Sequence, residues 1–395
     1  MAAKEASTGP YSLSLSMAAD DTANLDLSTQ AGIHAYLQGT PFASTIVDIL
    51  PGGFANYSFR LRLANPYEGR GTLIAKHAKP YLKNWQTVPF ALDRQRYEFE
   101  AIKRVRAWLP EDAMVTVPVV HRFDEEYHII IMDDCGEDAV CLEDMIKSGC
   151  LTVTLSSIIG AFLGEFLGRF HTWSRNNAEL SDYFKENVAT KKTLIQVIYQ
   201  PITDMLTAAD SESELAKPQL KVTENDLGVI NAMVKQTTQA LLSAHDTMVM
   251  GDFRPGNIMV LLDENKELKQ IYVIDWEVST TGLRALEIGH FCAEVYFFRR
   301  SIPGCQETAL ALLDCFLCKY NDIVSLDYEE CKQAIFQVGA WLIILGPSLY
   351  QGNEAARRQM GMEGVEMIVR CHMEDEKWLE ESFFRPLLKN RKNVN

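Results

Sequence analysis

The sequence predicts an α+β protein in two lobes, a small antiparallel sheet carrying one helix followed by a larger, mainly helical region. Three observations carry this expectation. Short β-branched runs separated by Pro, Gly and Asn turns fill Ser44 to Lys79. Apolar residues recur at helical spacing beyond Cys141. That helical pattern is broken once, from Val249 to Glu277, by two short strand-like runs around a turn.

In chain order, residues 1–26 are rich in Ala, Ser, Thr and Asp without periodicity and are expected to form a disordered tail. The first lobe is placed at 27–134. Thr45-Ile46-Val47, Tyr57–Leu63 and Thr72–Lys76 read as strands, divided by turns at Pro51-Gly52-Gly53 and at Asn65 to Gly69. Leu92 to Trp108 reads as a helix, with Phe99, Ile102, Val105 and Trp108 on helical spacing and Pro110 closing it. Val117–Arg122 and Tyr127–Met132 complete the sheet. The second lobe is placed at 135–395. Its clearest element runs through Leu155, Ile159, Phe162, Phe166 and Phe170, with Gly160, Gly164 and Gly168 forming a small-residue stripe that another helix could approach closely.

Composition excludes several classes. At 395 residues, 47% hydrophobic and 23% charged, the chain can bury a large core. A net charge of −15 argues against a general nucleic-acid binder but leaves room for one bound nucleotide. The start lacks the basic stretch and apolar core of a secretory signal. The longest apolar run, Ala340 to Leu345, stops at Gly346-Pro347 and falls short of the roughly 20 residues a bilayer requires. No membrane partner is expected. Nine cysteines without a signal suit free thiols in a reducing compartment, hence a cytoplasmic location, and Cys315 and Cys318 read as helix-face thiols because no second pair stands at zinc spacing.

The chemistry concentrates at the β interruption. Gly251-Asp252-Phe253-Arg254-Pro255-Gly256-Asn257 offers an acid, a sharp turn and an amide oxygen, followed at once by the apolar strand Ile258-Met259-Val260. Val273-Ile274-Asp275-Trp276-Glu277 then sends two carboxylates out of the next strand's end. Phosphoryl transfer needs a cradle for phosphates, a divalent metal and a carboxylate that positions the attacking hydroxyl. Asp252 is the candidate base. Asn257, Asp275 and Glu277 are hard-oxygen candidates for Mg²⁺.

This ordered pair, a G-D-x-x-x-x-N turn followed by I-D-x-E, resembles the aminoglycoside phosphotransferase and choline kinase superfamily, distant relatives of protein kinases. Lys76-His77-Ala78-Lys79-Pro80-Tyr81 and His121 to Glu126 resemble 5-methylthioribose kinases. Leu50 to Asn56, Val249 to Asp252 and Ile271 to Glu277 are similar to the fungal 4-hydroxytryptamine kinases. The resemblance covers about Gly32 to Asp375. It implies a protein-kinase-like two-lobed fold, ATP with Mg²⁺, and a small-molecule hydroxyl acceptor such as 4-hydroxytryptamine or a 5-methylthioribose-like sugar.

Within that resemblance the Gly52-Gly53 turn, with Asn56, covers phosphates. Lys76 reaches them, paired by Glu98 or Glu100, with Glu98 preferred because Ile102 and Val105 follow on its inward face. The backbone of Met132-Asp133-Asp134 faces adenine, and ATP lies between the lobes. Arg254, Trp276 and Arg370 are acceptor-side candidates, as are His290, Tyr296 and Trp341, although aromatics at helical spacing are more often packing. His171 is expected to cap or pack. The chain departs from the pattern at Met250, where His is usual, at Glu287, where an Asp often anchors the catalytic loop, and at Val369, where thioribose kinases carry the first of two arginines. A protein kinase is disfavoured by the absence of H-R-D, D-F-G and A-P-E segments. The competing class is a catalytically inactive nucleotide-binding relative, against which Lys76, Asp252, Asn257 and Asp275 all count.

Overall fold

The computed structural model describes residues 25–207, 220, 222–373 and 376–388, so all of the expected tail except Leu25 and Asp26 lies outside the described residues. The chain divides into two compact units, one of residues 1–109 and 117–137, the other of 110–116 and 138–395.

The first unit begins with helix α1 (Gln30–Leu37), which Thr29 caps by accepting the Gly32 N–H. Strands β1 (Ser44–Ile49), β2 (Tyr57–Tyr67) and β3 (Arg70–His77) follow, then a hairpin of β4 (Tyr81–Leu82) and β5 (Trp85–Pro89), and helix α2 (Arg94–Trp108). The chain next supplies β6 (Val115–Thr116) to the other unit and returns as β7 (Val120–Asp124) and β8 (Ile129–Asp133). The single strand expected over Val117–Arg122 is thus two pieces. Pro118 lies between them and has no N–H for a ladder. The main sheet has the order β1-β2-β3-β8-β7, antiparallel throughout. Leu73 and Ala75 point to the face where α1 lays Ile33 and Leu37 over Phe59, Leu61, Ile129 and Ile131. Lys76 therefore points to the opposite face.

The second unit continues with β9 (Val140–Cys141), α3 (Leu142–Lys147), the long α4 (Val153–Arg175), α5 (Ala178–Phe184), α6 (Val188–Leu194), α7 (Pro201–Thr207) and α8 (Glu224–Ser243). A β region follows: β10 (Met248–Val249), β11 (Ile258–Leu262), β12 (Leu268–Val273) and β13 (Thr280–Thr281). Helices close the chain: α9 (Arg284–Ser301), α10 (Gln306–Ile323), α11 (Tyr328–Ile344), α12 (Gly346–Leu349), α13 (Glu354–Met373) and α14 (Glu376–Glu381). The glycine stripe does what its spacing suggests. A Cβ on Gly160 would stand 2.3 Å from the Leu312 carbonyl and one on Gly164 2.2 Å from that of Phe316, so α4 and α10 touch backbone to backbone. By length and composition α4 is nevertheless apolar enough to cross a membrane, which corrects the expectation that no segment reaches that measure. Its apolar side is spent on α10 inside this unit. All nine cysteines are free thiols.

Candidate active site

In the second unit, β11 and β12 form an antiparallel hairpin in the register Ile258↔Val273. That register brings the residue before β11 against the residues after β12. The Ile274 N–H donates to the Asn257 carbonyl at 2.9 Å, joining the two sequence motifs by one backbone bond. Upstream, Gly251 has φ +86°, and a Cβ there would lie 2.5 Å from the Val278 carbonyl, so only glycine fits. Its N–H donates to Glu287 Oε1 at 2.8 Å, while Glu287 Oε2 meets His171 Nε2 at 2.8 Å and His171 Nδ1 meets the Tyr320 hydroxyl at 2.9 Å. Glu287 thus reaches the Gly251 turn, and His171 is part of the buried support beneath it rather than a helix cap.

Asp252 is half-buried and divides its carboxylate. Oδ2 accepts from Asn257 Nδ2 at 2.7 Å and from Arg254 Nε at 3.1 Å. Oδ1 faces His290 Nδ1 across 3.8 Å. Burial pushes the Asp252 carboxyl up, but Arg254, His290 and the Asn257 amide together outweigh it and hold the group below the ordinary carboxylate value. Arg254 is held above its own ordinary value, first by Asp252 and against burial, with Glu294 and Asp275 adding to it. A single guanidinium therefore senses the acids of both motifs. His290 loses basicity to burial, yet Glu294 and Asp252 more than restore it. Glu294 Oε1 lies 3.7 Å from His290 Nε2, and Arg254 Nη1 lies 3.9 Å from Glu294 and 3.7 Å from Glu143.

The metal candidates fit a hard divalent cation by their chemistry. Asn257 Nδ2 is committed to Asp252 Oδ2 and to the Asp252 carbonyl at 3.0 Å, which turns Oδ1 the other way. Asp275 sits at φ +67°, a left-handed conformation that costs on the order of 1 kcal/mol for a non-glycine residue and recurs at functional sites. Glu277 is buried two residues on.

The acceptor-side candidates separate. Arg254 stands in the cluster, and His290 stands with it rather than in the core. Trp276 does not: it is fully buried, donates Nε1–H to the Val273 carbonyl at 3.0 Å and packs edge-on to Phe170, because the turn directs its ring inward. Arg370 is also redirected. Its guanidinium pairs with Glu366 at 3.2 Å and lies over Trp378, as one turn of α13 dictates. Tyr296 donates to Glu363 at 3.1 Å and stacks on Phe383, while Trp341 packs against Phe297.

In the first unit, Lys76 Nζ donates to Glu98 Oε1 at 2.6 Å, and Glu98 is fully buried. Glu100 instead pairs with Arg104 at 3.0 Å and Lys103 at 3.5 Å. Gly52 and Gly53 both adopt positive φ, +85° and +70°. Asn56 is buried beneath that turn, its Oδ1 accepting from Arg94 Nη2 at 2.8 Å, so its contact is with α2. Met132 departs from the expected role. It lies inside β8, paired with Ile74 on one side and Val120 on the other, and the next N–H, that of Asp133, still donates to the Val119 carbonyl at 2.8 Å. Backbone groups clear of the sheet begin only after Asp133. The Asp133 carboxylate is held by Arg70 at 2.5 Å and by His121 at 2.7 Å.

A small sheet unit and a helical unit with these oxygen donors define a class, the phosphotransferases that act on small-molecule hydroxyl groups. The chain belongs to the phosphotransferase enzyme family, whose pattern matches residues 49–312. It is 27% identical over 351 residues to a 4-hydroxytryptamine kinase of Psilocybe cyanescens, covering 86% of this chain and 92% of that protein. A methylthioribose kinase of Bacillus cereus is 26% identical over 273 residues, covering 66% of this chain and 62% of that one. Among solved structures, a choline/ethanolamine kinase family protein from Mesorhizobium loti aligns over 91% of this chain and 97% of its own, with 13% identity and a TM-score of 0.41.

Glu143 and Glu294 escaped the sequence reading. Both lie in helices distant in sequence from the turn, and neither stands in a motif. A carboxylate at His290+4 on one helix face was the available signal.

Proposed function

We propose that the chain transfers the γ-phosphoryl group of ATP, with Mg²⁺, to the hydroxyl of a small hydroxylated metabolite. A hydroxylated aromatic amine of the 4-hydroxytryptamine kind is the first acceptor to test, because that relative matches far more of the chain than the thioribose enzymes do. In this reading the first unit, through Lys76, Glu98 and the Gly52-Gly53 turn, holds the nucleotide phosphates. The second unit supplies the base and the metal donors.

Asp252 Oδ1 is the proton acceptor, since Oδ2 is already occupied by Arg254 and Asn257. As the acceptor O–H gives its proton to Oδ1, its oxygen bonds to the γ-phosphorus, the bond from phosphorus to the β–γ bridging oxygen breaks, and ADP departs with that electron pair. Arg254 keeps Asp252 ionised and fixed in direction. Asn257, Asp275 and Glu277 would hold Mg²⁺, which neutralises phosphate charge. The observation that carries the reading is the Ile274–Asn257 backbone bond, which ties the last residue of the first motif to the start of the second.

The test is ATP consumption by the full chain with Mg²⁺ against a panel holding 4-hydroxytryptamine, 5-methylthioribose, choline and related amino alcohols. Acceptor-dependent turnover, lost by at least about a thousandfold in Asp252→Ala with an unchanged circular dichroism spectrum, is expected. Turnover that survives in Asp252→Ala overturns the assignment.

A further inference from the structure

Past Asp133 the chain leaves the sheet, yet residues 134–137 are fastened. Arg60, on β2, donates Nε to Asp134 Oδ2 at 2.6 Å and Nη2 to Asp134 Oδ1 at 3.1 Å, a bidentate pair. The same Nη2 reaches the Gly136 carbonyl at 3.4 Å, and Asp134 Oδ1 also accepts the Gly136 N–H at 3.1 Å. The Asp134 side chain is only 4% exposed. Arg62, two residues along β2 and so on the same face, holds Glu137 at 2.6 Å while its Nε meets Asp48 of β1 at 3.0 Å.

These contacts engage Asp134, Gly136 and Glu137 and leave out the backbone N–H of Cys135. A buried carboxylate on a short connecting segment is a liability unless fully paired, and pairing by a planar fork fixes direction as well as charge. A binding segment held in its bound shape before the ligand arrives gains affinity, because less ordering remains to be done on binding.

We infer that Arg60 and Arg62 are positioning residues that set the backbone of Asp134 to Gly136 to receive the purine of ATP, with the Cys135 N–H as the donor to a ring nitrogen. This rests on the reading that the segment after β8 faces the base. The Arg60 guanidinium is engaged by Asp134 and the Gly136 carbonyl, so its influence is expected at the base.

The experiment is calorimetric titration of the full chain with MgATP and, separately, with magnesium tripolyphosphate, which has no base to recognise. Wild type, Arg60→Met and Arg60→Lys are compared. Arg60→Met is expected to weaken MgATP about tenfold, or about 1.4 kcal/mol, with Arg60→Lys in between and tripolyphosphate affinity the same in all three. MgATP affinity within twofold of wild type in Arg60→Met overturns the inference, and so does an equal loss for both ligands. If Arg60→Met does not fold, the more exposed Arg62→Met decides: a loss confined to MgATP supports the inference, and an unchanged or equal response for both ligands overturns it. A wild-type chain that binds MgATP no more tightly than tripolyphosphate sinks the base-facing reading itself, which separates that failure from a failure of the arginines alone.

Discussion

Asp252 shows how much of a carboxylate's ionisation is set by its neighbours. Its spacing to Asn257 was legible because only four residues, including the Pro255-Gly256 turn, connect them, and local chain geometry leaves little freedom over that distance. His290, Glu294 and Glu143 were not legible as partners, since only tertiary packing brings α9 and α3 to the turn. A direct consequence is testable at His290. Replacing it with Phe removes the group facing Asp252 Oδ1, and kcat is expected to fall roughly tenfold while MgATP affinity stays unchanged. Steady-state kinetics beside calorimetry would show it, and an unaltered kcat would remove His290 from the site.

A second residue carries a pH signature. His77 donates Nδ1–H towards the carbonyls of Tyr127 and His128, at 3.0 and 3.2 Å, and is buried against the α1 face of the sheet. Burial, with the Lys79 charge beside it, pushes the imidazole down to about 4 from 6.5. The unfolded chain takes up this proton below about pH 6.5, the folded chain only near pH 4. Stability from the neutral ring is therefore complete above the unfolded value and is lost as pH falls between the two, by on the order of 3 kcal/mol. Thermal melting from about pH 7 to about pH 5 should fall more steeply for wild type than for His77→Leu. Parallel slopes would contradict the burial argument.

At the scale of elements, strongly patterned segments could be read and weakly patterned ones could not. The α4 stripe of Gly160, Gly164 and Gly168 announced a close helix neighbour, and α10 is that neighbour. Gly164→Ala should cost about 2–3 kcal/mol, because the added methyl meets the Phe316 carbonyl and not a side chain that can rotate away. Urea denaturation would measure it, and a loss below about 0.5 kcal/mol would mean the helices separate freely. The β4–β5 hairpin left no trace in the pattern, since every residue of β5 is exposed and period-two burial has nothing to show. Helix α1 spans eight residues, too few for a periodic signal. The turn at Glu68-Gly69 was visible, and both residues take positive φ, +45° and +81°, as a tight hairpin requires.

Across the whole molecule, charge and composition bounded the class, and the two ordered motifs named the chemistry. The substrate was beyond their reach, because the groups gathered at the Asp252 turn, such as Glu143, His290 and Glu294, stand on helices whose packing no local pattern records. One proposed centre in the second unit unites these readings: Asp252 as the base and Asn257 and Asp275 as metal donors, their two motifs tied by the Ile274–Asn257 backbone bond. The most direct measurement is ATP turnover as a function of Mg²⁺ concentration in wild type and Asp275→Ala, with folding checked by circular dichroism. With the metal held at this centre, the variant is expected to lose turnover and to need at least about tenfold more Mg²⁺ for any that remains. A variant that keeps the wild-type Mg²⁺ curve would contradict it.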